Sequence, residues 1–126
     1  MSRSARPVYL NLFKIRLPIP GVVSFLHRVS GVLLVLFIPM SILFLERSLA
    51  GEAGFADVAS WLGHPLGMLM ALVFLWALIH HLFAGLRFLL LDLDVGMEPA
   101  AARTTAWTVL VAAIAVAVLL ALGWLV

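Results

Sequence analysis

Residues 66–91, LGMLMALVFLWALIHHLFAGLRFLLL, decide the fold of this protein. Arg87 is the one charged residue in this segment. The segment is longer than the roughly 20 apolar residues that a helix needs to cross a hydrocarbon core of about 30 Å. It therefore predicts a membrane-spanning helix, and it places two adjacent histidines, His80 and His81, inside the apolar region.

The composition extends this prediction to the whole chain. Of its 126 residues, 65% are hydrophobic and 11% are charged, and the mean hydropathy is +1.21. A water-soluble domain does not contain so large an apolar fraction. We expect an all-α membrane protein in which residues 1–126 form a single transmembrane domain, with spanning helices at about 22–45, 66–91 and 105–125. The small net charge of +2 does not support nucleic-acid binding.

Prolines indicate where the predicted helices begin. Pro18 and Pro20 are expected to stop the first helix from beginning earlier, and Pro65 suits the first turn of the second. Pro39 lies inside the first helix, where we expect a kink. The loops between the helices are expected to be short.

The absence of cysteine limits the metal chemistry. It excludes disulfides, protein-bound iron–sulfur clusters and the covalent attachment of a c-type haem. A metal in this chain is therefore held by histidine, methionine or carboxylate side chains.

The distribution of charge predicts the orientation in the membrane. The segment through Arg28 contains basic residues and no acidic one, namely Arg3, Arg6, Lys14, Arg16 and Arg28. The first loop contains Glu46, Arg47, Glu52 and Asp57. Because basic residues stay on the cytoplasmic side, we expect a cytoplasmic N-terminus and a periplasmic C-terminus.

Polar residues follow one face of the first predicted helix. Ser24, His27, Arg28 and Gly31 stand at i, i+3, i+4 and i+7, a spacing that aligns side chains on a helix. One interpretation is that Arg28 extends to the cytoplasmic interface and His27 accompanies it. The interpretation we favour is a face that binds an anion or a ring, because ionisable groups in a span usually face protein or a polar ligand.

The two histidines of the second helix are expected to have different roles. Consecutive residues point about 100° apart, so His80 and His81 cannot both face the same ion. His81 has small neighbours at helical spacing, which predicts a shallow surface against which a flat macrocycle can lie; these are Ala77, Ala84 and Gly85. A neutral imidazole in such a place suits the axial position of a b-type haem. The alternative is a core histidine that donates to a carbonyl.

The remaining polar residues of this helix receive simpler interpretations. His80 has bulky Trp76 and Phe83 beside it, which favours packing or a hydrogen bond to a neighbouring helix. His64 is expected at the membrane interface near the start of the helix. Arg87 is expected either to extend to the cytoplasmic surface or to meet a haem propionate.

Two stretches resemble a known family. RPVYLNLFKIRLPIPGVVSFLHRVSGVLL at 6–34 and HHLFAGLRFLLLD at 80–92 resemble the cytochrome b subunit, or large membrane anchor, of bacterial succinate dehydrogenase. The resemblance implies a multi-pass protein of the bacterial inner membrane. It also implies a second small membrane-anchor subunit, an iron–sulfur subunit and a flavoprotein subunit as partners, haem b shared with the second anchor, and ubiquinone as the substrate that accepts electrons from succinate.

The resemblance also implies roles for individual residues. His81 would be one axial ligand of the haem iron, with the other supplied by the second anchor subunit. His27 and Arg28 would contact the haem propionates, and Ser24 and Arg28 would line the quinone site. Many relatives have a histidine where this chain has Phe88, so one polar contact to the haem is absent. No residue of this chain would be catalytic, because succinate is oxidised on another subunit.

Three alternatives stay open on the sequence alone. The chain can be a haem-free structural anchor of the same kind of complex, in which His81 is dispensable. It can be a small proton-coupled transporter that uses His81 or Arg28 as a relay, although no carboxylate lies within the predicted spans. It can also supply both haem ligands itself, through His27 and His81.

Overall fold

The computed structural model of the protein describes residues 15–125 and contains four helices there, α1 (Ile19–Leu49), α2 (Glu52–Gly63), α3 (Pro65–Asp92) and α4 (Pro99–Leu125). Three of them, α1, α3 and α4, are long and apolar enough to cross a membrane. Residues 15–125 contain no strand. The prediction of an all-α membrane protein with three spanning helices is confirmed.

All three spanning helices begin earlier than the sequence predicted, and α1 and α3 also end later. α1 begins at Ile19 because Pro20 lies in its first turn, where the missing N–H leaves no hydrogen bond unmade. Pro20 therefore belongs to the helix and does not delay it. α1 continues through Pro39 to Leu49. α4 likewise begins at a proline, Pro99.

α2 is the element that the sequence analysis did not predict. Its residues had been assigned to the first loop, but its apolar side chains line a cavity against α1 and α3; these are Phe55, Val58, Trp61 and Leu62. Phe44 of α1 packs edge-to-face on Trp61, with ring centroids 4.7 Å apart. An ion pair between Arg47 and Asp57 joins the same two helices. α2 is a short amphipathic helix packed at one end of the α1–α3 pair.

Two glycines allow α2 to pack this closely. A Cβ at Gly54 would overlap the carbonyl oxygen of Arg47, and a Cβ at Gly67 would overlap that of Trp61. Any other residue at either position would force the backbones apart. The chain can thus fold back sharply before and after α2.

The spanning helices pack through small side chains. α3 contacts both α1 and α4, and α1 also contacts α4. Four alanines are fully buried within the bundle, namely Ala77, Ala84, Ala106 and Ala113. Small residues let helix backbones approach closely in a membrane, where dispersion rather than the hydrophobic effect drives association. Most large apolar side chains point outward, as a lipid environment requires.

The orientation in the membrane stays a prediction. Part of the basic segment that supports it, including Arg3, Arg6 and Lys14, lies outside the described residues. Arg16 and Arg28 lie at or near the same end of α1 as this segment, and Glu46 lies near the other end.

Candidate functional site

His81 of α3 lies against His27 of α1. The two imidazole rings stack with centroids 4.1 Å apart and an angle of 12° between their planes. A Cβ added at Gly31 would lie 3.0 Å from Cε1 of His81, and one at Gly85 would lie 3.6 Å from Nε2 of His27. The crossing of α1 and α3 thus brings both histidines together between two glycines.

The hydrogen bonds of His81 define which ring nitrogen carries the proton. Nδ1 of His81 lies 3.1 Å from the carbonyl oxygen of His27 and 3.2 Å from Oγ of Ser30. The Ser30 hydroxyl donates to the same carbonyl oxygen at 2.9 Å. Because a carbonyl oxygen only accepts, Nδ1 is the protonated nitrogen. The lone pair of a neutral His81 is therefore on Nε2, the arrangement that metal-binding histidines adopt.

His81 also lines a groove between α1 and α3. The groove has a volume of about 700 Å³, within the range of roughly 300–1,000 Å³ typical of small-molecule and cofactor sites. Its other lining residues are apolar apart from one serine; they include Gly31, Leu34, Val35, Ile38, Phe74 and Leu78. An imidazole at an apolar groove suits a non-covalent metal macrocycle such as haem, whose ring would contact the walls while Nε2 binds the metal.

A bare metal ion does not fit this site. Residues 15–125 contain no group of three or more histidine, cysteine, aspartate or glutamate side chains that could hold an ion. His81 is the one histidine that lines the groove, and a neutral imidazole supplies a single metal ligand. A metal held here therefore needs a carrier, such as a porphyrin, that provides most of its coordination.

The small residues beside His81 do not form the open surface that the sequence predicted. Ala77 and Ala84 are fully buried, and Ala84 packs in a cluster with residues of α1 and α4. Gly85 faces His27. These residues allow the helices to approach each other, and the available space lies next to Gly31 instead.

The stacked rings bear on the alternative in which this chain supplies both haem ligands. Two axial histidines must approach the iron from opposite faces of the porphyrin. His27 and His81 lie face to face in van der Waals contact, with no room for a macrocycle between them. In this arrangement the pair supplies one axial ligand at most.

Gly31 of the predicted stripe lies against His81 as well, whereas Ser24 and Arg28 are not drawn into this contact. Arg28 is exposed and lies among Val29, Val32 and Leu33. Ser24 is half-buried. Neither side chain forms a hydrogen bond within residues 15–125. The roles assigned to His27, Arg28 and Ser24 therefore remain predictions, and the structure brings only His27 to His81.

The other two histidines have distinct surroundings. His80 is fully buried, stacks on Trp76 with centroids 5.4 Å apart, and has no hydrogen-bond partner for either ring nitrogen in the described chain. This agrees with a packing role. His64 is exposed at the start of α3, where its Nδ1 accepts a hydrogen bond from the backbone N–H of Leu66 at 3.3 Å. It caps the helix at its end, as an interfacial residue does.

Arg87 differs from both expectations. It neither extends to the surface nor turns toward His81, because its side chain is 6% exposed and donates to residues of α4. The hydroxyl of Thr105 supplies one acceptor. Sequence spacing gave no indication of this direction, since it depends on where α4 packs.

Ser30 is the site residue that sequence reasoning missed. It is fully buried and contacts Nδ1 of His81. It belongs to the same quoted stretch as His27 and Arg28, and its only sequence signal is a hydroxyl group beside Gly31 within a span. This signal indicates a role only once the structure shows that α3 crosses α1 beside Ser30.

The chain is similar in sequence to known membrane proteins. A family model described as succinate dehydrogenase/fumarate reductase transmembrane subunit matches residues 2–121. The chain is 35% identical over 121 residues to the succinate dehydrogenase cytochrome b556 subunit of Coxiella burnetii, covering 95% of this chain and 96% of the relative. It is 31% identical over 120 residues to the protein of the same name from Paracoccus denitrificans, covering 94% and 92% respectively.

Proposed function

The chain belongs to the succinate dehydrogenase/fumarate reductase transmembrane subunit family, and on that premise we propose that it is the cytochrome b membrane anchor of a bacterial succinate dehydrogenase. It binds haem b and helps electrons from the iron–sulfur subunit reach ubiquinone. The observation that carries this proposal is the hydrogen bond from Nδ1 of His81 to the carbonyl oxygen of His27, because it leaves Nε2 free to bind iron.

The residues around His81 hold the imidazole in place for this role. The carbonyl oxygen of His27 fixes the proton on Nδ1, and Ser30 contacts the same nitrogen while donating to that carbonyl. The ring of His27 stacks on one face of His81 and limits its rotation. Haem held by Nε2 of His81 would supply one-electron transfer at this site.

The polar groups that would bind the haem propionates and the quinone belong to Arg28, His27 and Ser24. Arg28 is an exposed cation in a span and has no carboxylate partner among residues 15–125. A cation in this position is costly unless a ligand or a partner covers it. Haem propionates and the oxygen of a quinone that gains charge are both acceptors that a guanidinium binds well. Ser24, four residues before Arg28, adds a hydroxyl for the quinone.

The remaining ligand and the catalytic chemistry come from other subunits. The groove beside His81 is lined by residues of α1 and α3, and a second small anchor subunit packed against it would supply the other histidine ligand of the haem. The basic residues before α1 support a cytoplasmic N-terminus, and the iron–sulfur and flavoprotein subunits would dock on that side of the inner membrane. Succinate is oxidised on the flavoprotein.

A spectrum of the purified complex tests the haem assignment. The wild-type complex is expected to show a b-type absorption spectrum, and His81→Ala is expected to abolish it while the subunit still inserts and assembles. His64→Ala is the matched control, because His64 is exposed at the start of α3, and it is expected to keep the full spectrum. A wild-type complex without haem would leave the chain as a structural anchor only. A full spectrum in His81→Ala would assign the ligand to another residue.

A further inference from the structure

Arg87 is a cation buried in a spanning helix without an acidic partner. Its side chain is 6% exposed, and the ion pair found within residues 15–125 joins Arg47 to Asp57 instead. Arginine stays protonated in proteins. An unpaired charge in a membrane interior is costly, so such residues usually meet a counter-charge. The counter-charge of Arg87 comes from outside the described chain.

Two hydrogen bonds fix the direction of the guanidinium group. Nε donates to Oγ1 of Thr105 at 3.1 Å, and Nη2 donates to the carbonyl oxygen of Ala102 at 3.1 Å. Because the guanidinium is planar and rigid, these bonds also fix the third nitrogen, Nη1. Nη1 has no hydrogen-bond partner within residues 15–125. It is the donor available to an anion.

Arg87 lines a groove between α3 and α4 with a volume of about 400 Å³. It is the one charged residue of this lining, and the other lining side chains are apolar except for Thr105 and Thr108. Along α3 the lining extends from Phe83 to Leu91, which is about 12 Å at 1.5 Å per residue. One cation beside an elongated apolar groove is complementary to a molecule with an anionic head and a hydrocarbon chain.

The haem proposed above does not supply this anion. His81 lies six residues before Arg87, which places the two side chains about 120° apart around α3. His81 contacts α1, whereas Arg87 contacts α4. The groove at Arg87 is therefore a separate site, and the inference about it stands without the haem.

The depth of Arg87 matches that of a lipid headgroup. Arg87 lies five residues before Asp92, where α3 ends, so its Cα is about 7.5 Å from that end. Its guanidinium group bonds to Thr105 and Ala102, which lie in the first two turns of α4, so it is covered by α4 but lies at the level of the interfacial region of a bilayer. A phosphate at the interface is then within reach of Nη1, and its acyl chain is at the level of the apolar lining.

We propose that the α3–α4 groove binds an anionic phospholipid. A phosphate oxygen accepts a hydrogen bond from Nη1 of Arg87, and one acyl chain lies between α3 and α4 beside Leu90 and Val109. The lipid neutralises the buried cation and fills the groove. It thereby strengthens the packing of α4 on α3.

Lipid binding to the purified, delipidated complex tests the proposal. Native mass spectrometry would compare the retention of phosphatidylglycerol with that of phosphatidylcholine in wild type and in three variants. Arg87→Gln removes the charge. Thr105→Val removes one bond to α4 but keeps the charge, and Arg103→Gln removes an exposed cation that does not line the groove.

Wild type is expected to prefer phosphatidylglycerol by about tenfold, because the choline cation of phosphatidylcholine already compensates the phosphate charge that Arg87 would otherwise neutralise. Arg103→Gln is expected to keep this preference, Thr105→Val to weaken it because Nη1 is less firmly directed, and Arg87→Gln to lose it. An unchanged preference in Arg87→Gln would overturn the proposal. Displacement of the lipid by millimolar inorganic phosphate alone would assign the site to a free anion. The absence of any preference in wild type would assign the counter-charge to a carboxylate of a partner subunit.

Discussion

The two sides of α3 orient their polar side chains in the same way. Toward α1, His81 contacts the carbonyl oxygen of His27 and the hydroxyl of Ser30, and that hydroxyl donates to the carbonyl. Toward α4, Arg87 donates to the carbonyl oxygen of Ala102 and to a hydroxyl three residues later, which again donates to the carbonyl. In each pair a carbonyl and a hydroxyl on one helical turn hold a side chain of the neighbouring span.

The difference between the two sides is the group that remains free. The contacts of His81 leave an unprotonated nitrogen, which is a ligand for a metal. The contacts of Arg87 leave an N–H group with a full positive charge nearby, which is a donor to an anion. The same arrangement of a carbonyl and a hydroxyl group thus leads to opposite binding properties. The neutral imidazole of His81 offers a ligand to a metal, and the cationic guanidinium of Arg87 offers a donor to an anion.

His80 shows what a histidine of α3 does without such contacts. It adjoins His81 in the sequence, but it is fully buried and stacks on Trp76 without a hydrogen bond to any described residue. Burial alone therefore does not distinguish a candidate ligand from a packing residue. The hydrogen bonds made by the ring do.

Replacing Arg28 is expected to produce the largest functional loss on the α1 side. Arg28→Leu should lower quinone reduction by about 10- to 100-fold, the range expected for the loss of a charge-assisted hydrogen bond of about 1.5–3 kcal/mol. Succinate oxidation with a soluble artificial acceptor should change little. Arg103→Leu, which also removes an exposed cation, should leave both rates close to wild type. An equal loss of both activities in Arg28→Leu would indicate failed assembly and would remove Arg28 from the quinone site.

A second prediction concerns the close approach at His81. A Cβ at Gly31 would lie 3.0 Å from the His81 ring, closer than normal packing allows. Gly31→Ala should therefore displace the imidazole, lower the haem content of the purified complex and cost about 1–3 kcal/mol of stability.

Gly85→Ala is the matched control for this substitution. Its Cβ would meet His27 at an ordinary contact distance of 3.6 Å, so haem content should be retained. Equal haem content in the two variants, measured by the haem-to-protein ratio, would contradict the close fit at Gly31.

Removing the Ser30 hydroxyl is expected to have a smaller effect. Ser30→Ala leaves His81 bonded to the carbonyl oxygen of His27, so haem should remain bound. The loss of the second contact should shift the midpoint potential and the electron paramagnetic resonance signal of the haem, and it should cost about 1 kcal/mol of stability. Ser30→Thr, which keeps the hydroxyl, should restore the wild-type signal. If Ser30→Ala changes stability but neither spectroscopic value, Ser30 only packs.

The smallest effect is expected at His80. His80→Phe replaces a ring without hydrogen-bond partners by an apolar ring of similar size, so stability should change by less than about 1.5 kcal/mol in either direction. The haem spectrum should be unchanged. Thermal unfolding of the purified complex together with its absorption spectrum measures both quantities. Loss of haem in this variant would show that His80 also takes part in haem binding and does not only pack.

The spanning helices were predictable because the bilayer imposes their length and polarity on the sequence. Residues 66–91 contain one charge over more than the required span, and the structure has α3 at this position. α2 was missed because its apolar residues, such as Trp61, lie close to the next span and are too few to cross the membrane alone. The amphipathic pattern of a short helix gives a weaker signal than a continuous apolar segment.

The candidate site was predictable only as a set of residues. Spacing identified His81 and its possible partner His27, since ionisable groups are rare in spans and stand out there. It assigned no role to Ser30 and missed the hydrogen bonds from Arg87 to α4. Both errors have one origin, because a span's sequence does not state which neighbouring helix each of its faces meets.

The sequence by itself determined that this protein is an α-helical membrane protein and which polar residues enter the membrane. Hydrocarbon excludes water, so the backbone must make its hydrogen bonds within the helix, and each polar side chain placed there costs free energy. Tertiary structure alone decided what those residues can do. The crossing of α1 and α3 places the proton of His81 on Nδ1, and the packing of α4 directs Arg87 away from that site. Hydrogen bonds between helices depend on contacts of a few ångströms, which no pattern along one chain segment specifies.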